Sequence, residues 1–145
     1  MSLITETTTL NVPAAVAFAG KIGDVLNAGA LAVMMSVGHR LRLFDIMARL
    51  PPSTSAEIAG RAWLAERHVR QWLGVMVKGR IVHYDSAAKT YHLPAEHAAS
   101  LTRGAPLGNL AAYAQVIALM ALMQERPFMH FKSDEGFNCE DIHLS

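Results

Sequence analysis

"AERHVRQWLGVMVKGRIVHYD", Ala65 to Asp85, changes its hydrophobic period partway along. In the first half Val69, Trp72, Leu73 and Met76 recur at steps of three and four, the spacing of one buried helix face. In the second half Ile81, His83 and Asp85 alternate with Val82 and Tyr84, the period of a strand. Gly79 sits at the joint, where a left-handed residue is expected to end the helix. Downstream, "SAAK" reads as a turn and "TYHLP" as the second strand of a hairpin. Upstream, "PPSTS" stops any helix before it, because two prolines cannot continue a hydrogen-bonded turn. Thr54 with Glu57 has capping-box spacing for the short helix "AEIAGRA", with Ser53 and Ser55 as alternative caps and Ile58 inward. "WLAERHVRQWLGVMVKG" follows as the second helix. Helix, turn, helix, hairpin is the winged helix-turn-helix order.

Long apolar helices flank this unit. Pro13 suits a first helical turn, where its missing N–H costs nothing. Beyond it Ile22, Val25, Leu26, Ala30, Val33 and Val37 mark one face expected to be buried, and Gly38 is expected to loosen or end the helix. Leu43, Phe44, Ile46, Met47 and Leu50 supply the contacts of a short helix before the prolines. "AEHAASLTRG" reads as a short helix and turn. A long, almost uncharged helix is then predicted from about Leu107 to Glu125. The fold class is mainly α: a winged helix-turn-helix with a small β-hairpin, flanked by long apolar helices that form a dimer interface. Residues 1–12 read as a flexible start, 13–125 as the winged-helix dimerisation domain, and 126–145 as a linker or truncated tail.

The chain of 145 residues is 52% hydrophobic and only 17% charged, more apolar than one small domain can hide. A second subunit or a further domain would cover the excess. The stretches Val12–Val37 and Ala105–Met123 both approach membrane-span composition. Lys21, Asp24 and Asn27 interrupt the first, and Asn109, Tyr113 and Gln115 the second, so both read as helices buried in protein. No membrane association is expected. A single cysteine, Cys139, and the absence of a basic-then-apolar leader in "MSLITETTTLN" fit a reducing, cytoplasmic setting.

"GDVLNAGALAVMMSVGHRLRLFDIMA", "TSAEIAGRAWLAERHVRQWLGVMVKGRIVHYD" and "TYHLPAEHAASL" together resemble the N-terminal domain of bacterial S-adenosylmethionine-dependent methyltransferases, of the small-molecule O-methyltransferase kind. The resemblance covers roughly Gly23 to Gly136. It implies a part that forms homodimers and helps cover an acceptor pocket, while a separate C-terminal α/β domain binds S-adenosylmethionine and carries the chemistry. No strand followed by a glycine-rich acidic loop occurs in the sequence, so no catalytic or cofactor residue carries over. The chain alone is expected to need no cofactor, with S-adenosylmethionine relevant only if a C-terminal domain exists. A truncated gene, a fragment and a free-standing interaction domain all fit such an ending.

Methionine fills irregular gaps and adaptable apolar surfaces, and Met34, Met35, Met47, Met76, Met120, Met123 and Met129 are many for this length. In the last helix Leu110, Tyr113, Ile117 and Met120 form one stripe, while Val116, Leu119, Leu122 and Met123 line other sides. One small core cannot take both sets; a two-fold interface can. Met34, Tyr113, Ile117, Met120 and Met123 are therefore the candidate dimer-facing or substrate-facing residues. A pocket between these helices would equally serve a free-standing dimer that binds a small molecule.

A dimeric DNA-binding regulator is the competing reading. From Arg40 to Lys89 nine Lys/Arg face four Asp/Glu, and after Glu125 the balance reverses, with two bases and five acids from that residue onward. Arg67, His68, Arg70 and Gln71 lie at outward positions of the second helix, and Lys89 lies in the wing turn. Arginine forks onto guanine and glutamine pairs with adenine, while Lys78, Arg80 and Lys89 suit phosphates. The short wing with its one cation counts against this use. Seven histidines raise the question of metal; His83 with His92, and Cys139 with His143, fall short of the three or four ligands a site needs. The acidic pairs Asp134/Glu135 and Glu140/Asp141 read as solvated charges. No serine or cysteine is placed as a nucleophile beside a base.

Overall fold

Asn11 opens the first helix: its side chain accepts from the Ala14 N–H at 3.1 Å, and Pro13 follows in the first turn. In the computed structural model, which describes residues 9–124, α1 spans Val12–Arg40, α2 Leu43–Ala48, α3 Ser55–Ala62 and α4 Glu66–Lys78. The hairpin strands β1 (His83–Asp85) and β2 (Thr90–His92) come next, then α5 (Ala95–Ala98) and α6 (Leu110–Leu122). Cys139, His143, Met129 and the acidic pairs lie outside the described residues.

The core forms where α2, α3 and α4 meet beneath the C-terminal third of α1. Leu43, Phe44 and Met47 enter it from α2, Ile58 and Ala59 from α3, and Val69, Trp72, Leu73 and Met76 from α4. Val82, Leu93, Leu101 and Ala111 close it from the wing, the following loop and α6. Each large apolar side chain withdrawn from water contributes about 1.5–3 kcal/mol, and seven of these side chains are fully buried. Phe44 and Trp72 meet edge to face with ring centroids 5.2 Å apart, a favoured geometry for two rings with negative faces and positive edges.

Thr54 is the cap of α3. Its hydroxyl accepts from the Glu57 N–H, and the Glu57 carboxylate accepts from the Thr54 N–H, each at 3.2 Å. Ser53 has a different task. Its backbone exchanges two hydrogen bonds with Tyr91, at 3.0 and 2.7 Å, and ties the approach to α3 onto β2. The hairpin is antiparallel, with His83 opposite His92 and Tyr84 opposite Tyr91. Asp85 organises its turn by accepting from the Ala87 and Ala88 N–H groups. Val82 is buried, whereas Tyr84 stays exposed with its ring tilted against Tyr91, centroids 4.7 Å apart.

Four local expectations need correction. The second helix does not begin at Trp63: that residue is left-handed, at φ 57°, and Glu66 is the first helical residue. Gly79 is not left-handed either, at φ −76°; Arg80 takes that role at φ 59°. What Gly79 supplies is space, since a Cβ there would meet the Leu31 side chain at 2.7 Å. Gly38 does not end α1, which runs on to Arg40, and its missing side chain makes room for the Trp72 indole. The last helix is also shorter than predicted, Leu110–Leu122 in place of 107–125.

The largest correction concerns α1. Ile22, Val25, Leu26, Val33 and Val37, expected on a buried face, are all exposed within the chain. From Val12 to Ala30 every residue except Ala15 and Gly23 is exposed. The helix is about 43 Å long at 1.5 Å per residue, and it is long and apolar enough to cross a membrane by length and composition. Only its C-terminal third reaches the core, through Leu31, Met34, Met35 and the buried Ser36, Gly38 and His39.

Candidate functional site

Three features of the surface carry chemistry, and each follows from how α1 is held. The first is an apolar face made by α1 and α6. Asn109 caps α6 by accepting from the Ala112 N–H, and its amide lies 3.3 Å from the ring of His39 near the end of α1. α6 starts beside that end and packs along α1. Its buried residues are small, Ala111 and Ala114. Alanines let the two backbones approach, and they leave the large residues of α6 pointing elsewhere. Tyr113 is 70% exposed, with Ile117 and Met120 beside it at helical spacing and also exposed. Leu110 continues that stripe and is exposed, Val116 and Leu122 are exposed on other sides, and Met123 is half-buried. α6 is only about 20 Å long, so it cannot cover the N-terminal half of α1, where Val16, Phe18, Ile22, Val25 and Leu26 remain open.

Met34 lies apart from this face. It is half-buried and lines a groove of about 360 Å³ between α1 and α4, with Val37, Leu41, Leu64, Val69 and Trp72. The Trp72 indole N–H donates to the Met34 carbonyl at 2.9 Å and fixes one wall. His68 and Gln71 stand at the polar part of the lining. Tyr113, Ile117 and Met120 are thus brought together on one stripe, and Met34 is not.

The second feature is the outer face of α4. Arg67, His68, Arg70 and Gln71 are all exposed. Arg70 pairs loosely with Glu66 at 3.7 Å, and Glu66 also accepts from the Ser55 hydroxyl at 2.7 Å, which links the starts of α3 and α4. His68 and Gln71 belong to the groove as much as to the outer face. Lys89 is exposed in the wing turn in a left-handed conformation, φ 54°. Trp63, in the turn between α3 and α4, is 94% exposed.

The third feature, a polar clasp, escaped the sequence reading. The Arg103 guanidinium binds the Asp45 carboxylate and donates to the His39 carbonyl at 2.8 Å, and the Arg103 N–H donates to Asp45 at 2.8 Å. The clasp joins α1, α2, the loop after α5 and the cap of α6. Burial pushes the His39 pKa below its ordinary value, and the Arg103 charge adds to that shift. The one signal in the sequence was a polar residue at each end of two apolar helices, His39 and Asn109, with nothing to say that they meet.

Among the histidines, His83 and His92 are register partners across the hairpin. His83 lies edge-on to His97, whose Nδ1 is 2.6 Å from the Ile81 carbonyl and donates to it. Among the described residues no three His, Cys, Asp or Glu side chains are grouped to hold a metal ion.

A helix pair whose first member carries a capping box, a short bridge to the wing and an antiparallel hairpin define a winged helix-turn-helix protein. Residues 29–103 match the Rv2258c-like winged HTH domain, and the chain belongs to that family. The match begins inside α1 and ends at the clasp arginine, so the exposed start of α1 and all of α6 lie outside it. Three solved structures share the fold. The mitomycin 7-O-methyltransferase MmcR is 17% identical with a TM-score of 0.61, over 71% of this chain and 30% of that one. PigF, solved with SAH, is 24% identical with a TM-score of 0.53, over 76% and 29%. Human N-acetylserotonin methyltransferase, solved with SAM, is 15% identical with a TM-score of 0.58, over 86% and 34%. This chain therefore spans about a third of the length of each. No curated protein matches the sequence.

Proposed function

We propose that this chain is a homodimerisation domain that, within a SAM-dependent small-molecule methyltransferase, also covers the acceptor. The observation that carries the dimer is the exposed apolar length of α1 beside the Tyr113–Ile117–Met120 stripe of α6. Each large side chain removed from water there contributes about 1.5–3 kcal/mol. A handful from each chain outweighs an association cost of about 4–15 kcal/mol. A two-fold axis lets the same patch meet itself, and a second copy of α1 has the length that α6 lacks. The methyltransferase context draws support from the three fold neighbours, all of which are about three times longer than the matched part.

The described residues do not fit S-adenosylmethionine. The two strands form the antiparallel wing, and neither leads into a glycine-rich loop, the element that receives such a cofactor at the end of a parallel strand. No residue here is assigned to the cofactor or to methyl transfer, and both would belong to a C-terminal α/β domain. In this reading the protein works in the cytoplasm, away from membranes.

Light scattering of the full chain at two micromolar concentrations tests the proposal. A dimer at both is expected, and Ile117→Glu with Tyr113→Glu should yield a folded monomer. A monomeric wild type would end the interface argument. A dimeric DNA-binding regulator is the second reading, favoured by the exposed Arg67, Arg70 and Gln71 on α4. It is weakened by a wing whose turn offers Lys89 alone and by His68 and Gln71 lining the groove beside α1.

A further inference from the structure

His39 is buried, 8% exposed, although imidazole is a polar group that titrates near neutral pH. Both of its ring nitrogens face donors. Nε2 lies 3.3 Å from an Arg103 guanidinium nitrogen, which can only donate. Nδ1 lies 3.3 Å from the Asn109 Nδ2 amide, because the Asn109 oxygen is engaged as the cap of α6. A neutral imidazole offers one acceptor nitrogen to this pair; a protonated one offers none and adds a positive charge beside Arg103. The remaining charged groups around the ring are Asp45 on α2 and Arg42 in the preceding turn. The Asp45 carboxylate favours a cationic His39, but it is already engaged by the Arg103 guanidinium and by the Arg103 N–H. Arg42 opposes it.

We propose that His39 is a proton-sensitive joint: with Nδ1 as its acceptor, since the Arg103 nitrogen beside Nε2 already donates to the His39 carbonyl, the neutral ring holds the capped first turn of α6 against the end of α1, and protonation loosens that turn. The joint is selective because its partners are unequal. Arg103 keeps its bond to the His39 carbonyl and its pair with Asp45 whatever the ring does. Among the described residues Asn109 makes no other side-chain hydrogen bond to α1, so the cap of α6 is the part that responds. α6 also packs along α1 beyond Ala111 and Ala114, and the Leu110 N–H donates to the Ser100 carbonyl at 2.7 Å, so the body of the helix stays docked and the change is confined to its capped first turn. The core of α2, α3 and α4 does not depend on the ring. The sign follows from the acceptor count: stability at the α1–α6 junction is complete above the ordinary histidine value of about 6.5. It is lost as pH falls below that value, through the lower pKa of the folded chain.

The experiment is amide hydrogen exchange on the full chain across mildly acidic to neutral pH, corrected for the intrinsic rate. The ring titration of His39 is followed by NMR and assigned by loss of its signal in His39→Gln. Expected is a several-fold loss of protection at Ala114 to Ile117 as pH falls, with Val69 to Met76 unchanged and the His39 midpoint below the ordinary value. In His39→Gln, whose side chain cannot titrate, the protection of α6 should no longer depend on pH. If that variant does not fold, the wild-type titration decides alone. Protection of α6 that is flat with pH would overturn the proposal. So would equal loss in α4, or a His39 midpoint at or above the ordinary value. Repeating the exchange on the Tyr113→Glu, Ile117→Glu variant separates this outcome from the dimer reading, in which a second copy would protect the same stretch of α6.

Discussion

Trp72 lies across Gly38, so close that a Cβ on that glycine would meet the indole Cζ2 at 2.3 Å. The same indole donates its N–H to the Met34 carbonyl at 2.9 Å, one turn earlier on α1. This pair sets the distance between α1 and the winged helix. A side chain at position 38 must push the two apart, and Trp72 is locked by Phe44 behind it.

Gly38→Ala should therefore destabilise the chain by about 1–3 kcal/mol, the range for overpacking a filled site. Gly79→Ala is the control. Its Cβ would meet only the flexible ends of Leu31, at 2.7 Å, and its φ of −76° suits alanine. Its cost should stay below about 1 kcal/mol, partly offset by a less flexible unfolded chain. Urea melts of both variants measure the contrast; equal losses would refute the account of Gly38.

Thr54→Ala removes one half of the capping box and leaves the Glu57 N–H without its acceptor. A loss of about 0.5–2 kcal/mol is expected, read from the thermal midpoint by circular dichroism. Ser53→Ala keeps the backbone pairing with Tyr91 and should cost about 0.5–1.5 kcal/mol, the hydroxyl's bond to the Pro51 carbonyl at 2.6 Å.

Arg70→Ala should change stability by less than about 0.5 kcal/mol, because its pair with Glu66 is long and exposed. Arg67→Ala and Arg70→Ala together therefore test DNA binding without unfolding the chain. If the regulator reading is correct, the double variant abolishes any specific complex in a salt-dependent gel shift. A specific complex that survives the double change would remove α4 as the reading element.

Asp45→Asn should weaken the clasp by about 1.5–3 kcal/mol, the range for hydrogen bonds to a charged group, since Asp45 receives both the side chain and the N–H of Arg103. Chemical denaturation of the full chain measures it. Arg103→Lys should recover little, because a single ammonium cannot reach the carboxylate and the His39 carbonyl in the same planar fork.

Much of the scaffold was legible because its signals are local. Val69, Trp72, Leu73 and Met76 had to share a face at a period of 3.6, and the structure buries all four. Thr54 and Glu57 had capping-box spacing, with Ser53 and Ser55 as alternative caps, and His83 and His92 could face each other across the hairpin; the structure forms both pairs. Glycines were read less well. Gly38 and Gly79 look like helix breakers in a linear chain, yet each makes room for a side chain 34 and 48 residues away, Trp72 and Leu31 respectively.

The sequence by itself determined the helix-turn-helix, the wing and an apolar excess that one small core cannot hold, since propensity, capping and periodicity act over a few residues. Only the tertiary structure decided where that excess lies. Periodicity marked a face on α1 from Ile22 to Val37 but could not say what covers it, and Ile22, Val25, Leu26, Val33 and Val37 stay exposed among the described residues. Nor could spacing foretell that His39, Asp45, Arg103 and Asn109 converge, because their meeting depends on α6 returning to the end of α1. Local chemistry fixes which faces exist; the path of the chain fixes which of them meet.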